Sequence, residues 1–186
     1  MYSSPFAELL HQWAANHKDD GLNDIGSYAK LFRFLASQCN HITEFGVRNG
    51  ISTGAFLSGM PKEIVCYDIV KQPNMTFLEA VAQSMGTIFT FMQQDTTTAD
   101  IAPTDLLFID GCHRYSAVSK ELKNSHKVRK YIVFHDTVGC WKWEEGNPLR
   151  VEGIGRAIQE LLAAGDWELT SEYDKGSGLM VLSRKS

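Results

Sequence analysis

The chain has 186 residues, of which 44% are hydrophobic, 22% charged and 11% aromatic. This size predicts one compact domain, and the ordinary composition excludes collagen, coiled coil and wholesale disorder. The formal net charge is −4, with 18 Lys and Arg against 22 Asp and Glu. Because the charges are interspersed and form no basic stripe, we expect a small-molecule partner and no nucleic acid.

The sequence shows no motif typical of a targeting signal, a membrane-spanning segment or a closely spaced cysteine pair. The longest uncharged apolar stretch, residues 80–94, is shorter than the roughly 18 residues that a spanning helix needs. The first residues lack the basic head and apolar middle of a signal peptide. The cysteines lie far apart, without a Cys-x-x-Cys pair, so we expect neither a zinc ribbon nor a disulfide framework. These features predict a cytoplasmic protein with no membrane segment. The cysteines are Cys39, Cys66, Cys112 and Cys140.

Apolar residues at helical spacing predict a helical extension over residues 1–40, ahead of a domain over residues 41–186. Within that domain the hydrophobic period changes repeatedly between that of a strand and that of a helix. In chain order we predict strand 41–47, helix 51–59, strand 63–70, helix 76–85, strands 87–92 and 105–109, helix 116–128, strand 130–134, helix 151–164, and strands 167–173 and 179–183.

This alternation predicts an α/β fold in which a largely parallel sheet carries helices on both faces. The run Leu106-Leu107-Phe108-Ile109 is continuously apolar, as in strands buried on both sides. The last two strands have no helix between them and should pair antiparallel. Ligands of such sheets bind beyond the carboxyl ends of the strands, so we expect the functional residues there.

Acidic residues occur at the predicted ends of the first three strands. Glu44 precedes the loop Gly46–Gly50, Asp68 ends the second strand and Asp95 ends the third. A carboxylate at the second position can accept both hydroxyls of a ribose, and one at the third can accept an adenine amine. For each aspartate alone a loop cap is the commoner explanation, but together with Glu44 the two form a regular series of acids at three successive strand ends. Arg48 stands where a dinucleotide fingerprint has a further glycine, which disfavours a nicotinamide oxidoreductase.

Residues 40–183 resemble the class I S-adenosylmethionine (SAM)-dependent methyltransferases, and within them the small O-methyltransferase group that includes cephalosporin-hydroxylase-like and macrolide-sugar methyltransferases. The resemblance implies a Rossmann-like sheet of seven strands in the order 3-2-1-4-5-7-6, with strand 7 antiparallel and helices on both faces. The motifs that carry it are Glu44-x-Gly46-x-x-x-Gly50-x-Ser52-Thr53, Tyr67-Asp68, Asp95, Phe108-Ile109-Asp110-Gly111-x-His113-x-Tyr115 and Phe134-His135-Asp136-Thr137.

The resemblance also implies SAM as the methyl donor, lying over the glycine loop. It puts the ribose on Asp68, the adenine near Asp95 and the methionine end near Glu44 and Ser52. The full set of residues that we expect to bind the donor is Glu44, Gly46, Asn49, Gly50, Ser52, Thr53, Asp68, Asp95, Thr96 and Asp110.

A metal site is expected from the fourth and fifth strands, which are neighbours in this order. Adjacent strands lie about 4.8 Å apart, so the carboxylates of Asp110 and Asp136 can meet there. Two close negative charges need a cation or a shared proton, and Mg²⁺ prefers such oxygen ligands. Related metal-dependent enzymes have an acidic pair after strand five, but here the pair is His135-Asp136. We therefore predict Asp110, His135 and Asp136 as ligands of Mg²⁺ or of a softer ion, with loop capping by the two acids as the alternative.

Candidate catalytic residues surround this pair of acids. His113 has a pKa range suited to removing a hydroxyl proton near neutral pH, and its alternative is a structural hydrogen bond. His135 is the other candidate base, and Asp110 completes the predicted catalytic set. Cys112 stands where several relatives have an acid that is proposed as the base. Cys112 therefore does not inherit that role, and we expect it in the core or at the rim.

Acceptor recognition is assigned to the N-terminal helices and the loop 138–150. Trp141 and Trp143 would stack on a sugar or aromatic ring or simply pack the loop, and Lys142 and Arg150 would pair with an acidic group or face water. Trp13 is expected in the core of the N-terminal helix.

The main prediction is thus methyl transfer from SAM to a hydroxyl of a small molecule such as a sugar, a catechol-like compound or a natural-product precursor. A metal-independent N- or C-methyltransferase and a non-catalytic SAM-binding module are the alternatives. A homodimer formed through the N-terminal helices is a further expectation.

Overall fold

The computed structural model describes residues 4–16, 25–138, 140 and 153–185. Its strands form one sheet in the order β3-β2-β1-β4-β5-β7-β6, which confirms the predicted topology. The strands are β1 (His41–Phe45), β2 (Glu63–Asp68), β3 (Ile88–Gln93), β4 (Thr104–Ile109), β5 (Val128–His135), β6 (Trp167–Tyr173) and β7 (Leu179–Arg184). The α-helices are α1 (Pro5–Asn16), α2 (Ala29–Ser37), α3 (Ile51–Leu57), α4 (Asn74–Ser84), α5 (Tyr115–Glu121) and α6 (Gly155–Ala163).

The chain divides into two compact units, Met1–Gln94 and Asp95–Ser186. The first unit holds the parallel strands β1, β2 and β3. The second holds the parallel pair β4 and β5 and the antiparallel pairs β5–β7 and β6–β7. None of the helices in the described part of the chain is both long enough and apolar enough to cross a lipid bilayer.

The core of the first unit is built from aromatic and aliphatic side chains of β1 and the helices. Phe32 of α2 and Phe56 of α3 are fully buried, and their ring centroids lie 4.8 Å apart. A side chain at Gly54 would come within 2.7 Å of the Trp13 ring. Half-buried Trp13 therefore packs directly on α3, and the two N-terminal helices are part of this core.

The core of the second unit surrounds β4, whose six residues are all buried. This burial explains the apolar run Leu106–Ile109 within β4, because both faces of the strand are covered. Asp105 is the charged residue within the strand, and its carboxylate lies 3.8 Å from the guanidinium of Arg129. Phe108, Phe134 and Trp167 are the largest fully buried side chains of this unit.

The predicted helix 116–128 differs most from the structure. The α-helix ends at Glu121, a 3-10 helix covers Leu122–Lys127, and β5 begins at Val128. The buried Asn124 side chain explains the change, because it donates to the carbonyl of Ala99 (2.9 Å) and accepts from the Ile101 amide (3.3 Å). The same side chain also donates to the carbonyl of Glu121 at 3.3 Å, and a side chain that bonds to the backbone of the preceding turn competes with continuation of an α-helix. The predicted helix start at residue 151 lies outside the described residues.

Candidate functional site

The loop after β1 has a backbone that ordinary residues rarely adopt. Gly46 and Gly50 have φ angles of 84° and 79°, and Arg48 has a φ of 46°. Asp68 holds this loop in place, because one of its carboxylate oxygens accepts from the amides of Val47 (2.8 Å) and Arg48 (2.9 Å). The sequence-predicted glycine turn and the acid at the end of β2 are therefore brought together.

Glu44 lies beneath this loop and is fully buried. Its carboxylate accepts hydrogen bonds from the hydroxyls of Ser52 (2.5 Å) and Thr53 (2.7 Å) and from the thiol of Cys66 (3.3 Å). Burial and the neighbouring Glu44 raise the pKa of the Cys66 thiol, which stays protonated as a donor. These bonds join the end of β1 to the first turn of α3.

Asn49 completes the loop in the first unit and is half-buried. Its carbonyl accepts from the side-chain amide of Asn74 at the start of α4, at 3.3 Å. Gly50 has no room for a side chain, since an added Cβ would lie 2.5 Å from both Leu78 Cδ1 and Met75 Cε. The loop is thus fixed on one side by Asp68 and on the other by α4.

The turn after β3 begins the second unit. Asp95 caps a 3-10 turn over Thr96–Thr98 by accepting from the Thr97 amide at 2.9 Å. Its hydrogen bonds with Thr97 hold the pKa of the exposed Asp95 below its ordinary value. The hydroxyl of Thr96 donates a hydrogen bond to Oε1 of Glu121 at 2.5 Å.

Two acids and two histidines converge at the ends of β4 and β5. His113 Nε2 lies 3.3 Å from Asp110 Oδ1 and 3.2 Å from Asp136 Oδ2. His135 Nδ1 lies 3.0 Å from the same oxygen of Asp110 and 3.4 Å from the same oxygen of Asp136. The sequence placed each of these four residues at a strand end, and the structure brings them into one cluster.

The protonation of this cluster follows from its geometry. Burial lowers the pKa of His113, but the hydrogen bond with Asp110 and the charges of Asp110 and Asp136 outweigh it, so the pKa lies above 6.5. Burial raises the pKa of Asp136, but the hydrogen bond and charge of His135 and the charge of His113 bring it below 3.8. An ionised Asp136 beside a readily protonated His113 imidazole is therefore the stable arrangement.

The donor atoms of the cluster are close enough to share one ion. Ligand atoms of Asp110, His113 and Asp136 all lie within 4.8 Å of one another. The metal ligands predicted from the sequence were Asp110, His135 and Asp136, so the prediction had His135 where this group has His113. Nδ1 of His135 also approaches both acids, but its side chain is only 7% exposed, against 17% for His113.

Three features of the site were not predicted from the sequence. The backbone of Asp136 has a φ of 57°, a strained value for a residue other than glycine. Burial raises the pKa of Cys140 to about 11, so its thiol is not a thiolate at neutral pH. Glu121 is a fully buried acid whose pKa burial raises to about 7. Only its spacing of eight residues beyond His113 could have drawn attention to Glu121.

The side chain of Tyr115, a residue of the predicted motif, contacts helix α6. Its hydroxyl donates to the Glu160 carboxylate of α6 at 3.0 Å. The guanidinium of Arg156 lies 4.2 Å from the centre of the Tyr115 ring and donates to Glu160 at 2.9 Å. Tyr115 thereby ties α5 to α6. The predicted acceptor-loop residues Trp141, Lys142, Trp143 and Arg150 lie outside the described residues.

Comparison with known families matches residues 43–137 to a family described as a methyltransferase domain. This chain belongs to that family. The match begins within β1 and ends after Asp136, so it includes every residue that we predicted for donor binding, metal binding or catalysis. No curated protein matches the sequence of this methyltransferase.

Solved structures with the same fold include several methyltransferases. An O-methyltransferase from Bacillus cereus in complex with SAH superposes with a TM-score of 0.67 at 16% identity, covering 100% of this chain and 93% of that one. The O-methyltransferase TomG from Streptomyces achromogenes, which is involved in tomaymycin synthesis and was solved with SAM, gives 0.65 at 18%, covering 100% and 92%. The N-methyltransferase NodS from Bradyrhizobium japonicum, with SAH, gives 0.62 at 11%, covering 98% and 100%. At these identities the likeness of this methyltransferase to them is one of fold.

Proposed function

We propose that this methyltransferase transfers a methyl group from SAM to a hydroxyl of a small molecule. The observation that carries the proposal is the position of His113, whose Nε2 lies between two ionisable carboxylates beyond the carboxyl ends of β4 and β5. An imidazole in this environment is a suitable acceptor for a hydroxyl proton near neutral pH. The SAM- and SAH-bound structures of similar fold support SAM as the donor.

In the first unit we assign the donor to the loop after β1. Gly46, Asn49 and Gly50 would lie against it and Asp68 would accept the ribose hydroxyls. Glu44, Ser52 and Thr53 bond to one another beneath the loop, and Glu44 has no exposed surface. We therefore propose that these three residues support donor binding by holding the loop in shape.

In the second unit we assign Asp95 and the backbone of Thr96, whose hydroxyl donates to Glu121, to the adenine, and Asp110 to the region of the reacting group. When bound, SAM supplies an electrophilic methyl carbon on a positively charged sulfur. The acceptor oxygen bonds to that carbon as the carbon–sulfur bond breaks and its electron pair stays on sulfur. The His113 imidazole takes the hydroxyl proton at Nδ1, because Nε2 donates its own hydrogen to the carboxylates. Asp110 and Asp136 stabilise the resulting imidazolium by charge, and alignment of the acceptor supplies several kcal/mol of the barrier reduction.

His135 is assigned a supporting position. Its side chain is 7% exposed and its Nδ1 contacts Asp110 at 3.0 Å. It can therefore orient the Asp110 carboxylate, whereas the more exposed His113 can reach an acceptor. The acceptor itself would be a sugar, a catechol-like compound or a related hydroxylated molecule.

A second candidate gives the same cluster a divalent metal ion. Two carboxylate oxygens and one imidazole nitrogen within 4.8 Å of one another fit such an ion. The nitrogen favours Mn²⁺, Fe²⁺ or Zn²⁺ over Mg²⁺, which prefers oxygen alone. Asp110, His113 and Asp136 would hold it, with His135 alongside, and it would lower the pKa of a bound acceptor hydroxyl.

Methyl transfer from labelled SAM to a panel of hydroxylated and amine acceptors tests the proposal. We expect labelled ether products, and a loss of about 10²- to 10⁴-fold in kcat for His113→Ala. Glu160→Gln is the control, because it changes an acid of the same unit that is not assigned to the chemistry. Products methylated only at nitrogen, or full activity of His113→Ala, would overturn the assignment.

The metal candidate has its own test. Protein treated with EDTA is titrated with Mn²⁺ or Zn²⁺, and the melting temperature is measured for the native chain and for Asp136→Ala. A rise in melting temperature that occurs in the native chain and not in Asp136→Ala supports the metal site. An unchanged melting temperature, with methyl transfer insensitive to EDTA, contradicts it.

A further inference from the structure

Glu121, the last residue of α5, is a buried acid in the second unit that the proposed chemistry does not use. It has no exposed surface. Its Oε1 accepts from the Thr96 hydroxyl at 2.5 Å. Its Oε2 is buried and has no hydrogen-bond partner among the residues that the structure describes. A polar atom that is buried without a partner destabilises the folded chain, so the presence of Glu121 at this position calls for a functional explanation.

Two turns at the ends of strands lie against this carboxyl group. Thr96 belongs to the 3-10 turn after β3. Gly111 belongs to the turn after β4, where an added Cβ would lie 3.5 Å from Glu121 Oε1 and 3.7 Å from Thr96 Oγ1. Glu121 therefore sets the spacing between the turn assigned to the adenine and the turn that follows Asp110.

Glu121 is also close enough to the site to sense its charges. Burial raises its pKa, the Thr96 hydrogen bond and the positive charge of His113 lower it, and the charge of Asp95 raises it. The carboxyl group itself stays shielded from solvent, so it cannot touch a bound molecule in this conformation. Any effect on binding must be transmitted through Thr96 and Gly111.

We propose that Glu121 is a positioning residue for the methyl donor, which acts by holding Thr96 and the turn after β3 in the shape that receives the adenosyl group. This inference rests on the proposed function, because it assumes that SAM is the donor. It assigns Glu121 no contact with SAM and no part in the transfer of the methyl group.

The test measures the dissociation constant for SAM by calorimetry in the native chain and in Thr96→Val, Glu121→Ala, Glu121→Gln and the Thr96→Val/Glu121→Ala double variant. We expect about a tenfold weaker affinity for Thr96→Val and Glu121→Ala, the loss that one hydrogen bond of about 1.4 kcal/mol would cause. The double variant should be no weaker than the single ones, since both remove the same bond. Glu121→Gln keeps a carbonyl acceptor for Thr96 and should stay within about twofold of the native chain.

Asp105→Asn is the matched control. Asp105 is also a buried acid of the second unit, but it lies near the start of β4 and faces Arg129. Its substitution should lower the melting temperature and leave the SAM affinity unchanged. Once an acceptor is found, Glu121→Ala should raise the KM for SAM about tenfold and leave kcat within about twofold, a split that loss of folded protein does not produce.

The outcomes separate this inference from the function on which it rests. A native chain that does not bind SAM overturns the proposed function. A native chain that binds SAM while Thr96→Val and Glu121→Ala keep its affinity overturns the positioning role alone, as does additivity in the double variant. If Glu121→Ala does not fold, Thr96→Val still decides, because unchanged affinity in that variant is sufficient to reject the role.

Discussion

His113 Nε2 and Asp136 Oδ2 lie 3.2 Å apart, although the two residues follow different strands. The pairing lies at the carboxyl ends of β4 and β5, where parallel strands of this fold class direct their functional residues. It joins a side chain that can take up a proton to one that stabilises the protonated form. The charge of Asp136 thereby helps to raise the pKa of His113.

The pH dependence of methyl transfer should report His113. A base works in its neutral form, and the neighbouring acids hold the pKa of His113 above 6.5. In metal-free protein we therefore expect kcat/KM to rise with pH and to level off only above an inflection that lies higher than that of an ordinary imidazole. Asp136→Asn removes one of the charges that raise this pKa and should move the inflection to lower pH. An unchanged pH profile in Asp136→Asn would contradict the assignment of His113 as the base.

Asp68 should be essential to the loop after β1. Its carboxylate accepts from the amides of Val47 and Arg48, and Asp68→Ala leaves both donors without that acceptor. We expect a loss of roughly 1–3 kcal/mol in the free energy of unfolding and at least tenfold weaker SAM binding, measured by denaturant unfolding and calorimetry. Asp100→Ala, at an exposed acid paired with Lys127, should change neither. Native SAM affinity in Asp68→Ala would remove the ribose assignment.

Alanine substitutions at two glycines distinguish the effect of backbone strain from that of side-chain crowding. Gly50 and Gly86 have similar φ angles of 79° and 76°, and an L-residue in that region costs roughly 1–2 kcal/mol. A Cβ at Gly50 would meet Leu78 and Met75 at 2.5 Å, whereas one at Gly86 would meet no atom within 4 Å. Gly50→Ala should therefore lower the free energy of unfolding more than Gly86→Ala, and it alone should weaken SAM binding. Equal effects in the two variants would mean that crowding at Gly50 is unimportant.

Stability should depend on pH through Glu121. Burial raises the pKa of this acid from 4.5 to about 7 in the folded chain, so the folded state binds more protons than the unfolded state between these values. The contribution of Glu121 to stability is therefore fully present below pH 4.5 and is lost as the pH rises to about 7. The total change is on the order of 3 kcal/mol.

Glu121→Gln isolates this contribution because the amide does not titrate. Denaturant unfolding of both chains at several pH values gives the difference in their free energies of unfolding. We expect that difference to shift against the native chain between pH 4.5 and 7 and to stay constant above that range. A difference that is flat throughout would show that Glu121 titrates normally.

Local periodicity was enough to predict the strands and most helices. The apolar run of β4 and the glycines that end helices are properties of neighbouring residues, so they can be read without knowledge of the fold. The predicted α-helix 116–128 was wrong beyond Glu121 because the buried Asn124 side chain is held by hydrogen bonds to Ala99 and Ile101. Those partners are distant in sequence and do not enter a local pattern.

The sequence by itself determined which residues stand at the strand ends: Glu44, Asp68, Asp95, Asp110 and Asp136, with His113 and His135 among them. The tertiary structure decided what each one touches. The buried Glu44 carboxylate accepts hydrogen bonds from Ser52 and Thr53, and His113 lies between the carboxylates of Asp110 and Asp136. Glu121 is buried next to Gly111. Such differences arise because strand order and helix packing bring together side chains from separate segments, and burial then sets their hydrogen bonds and pKa values.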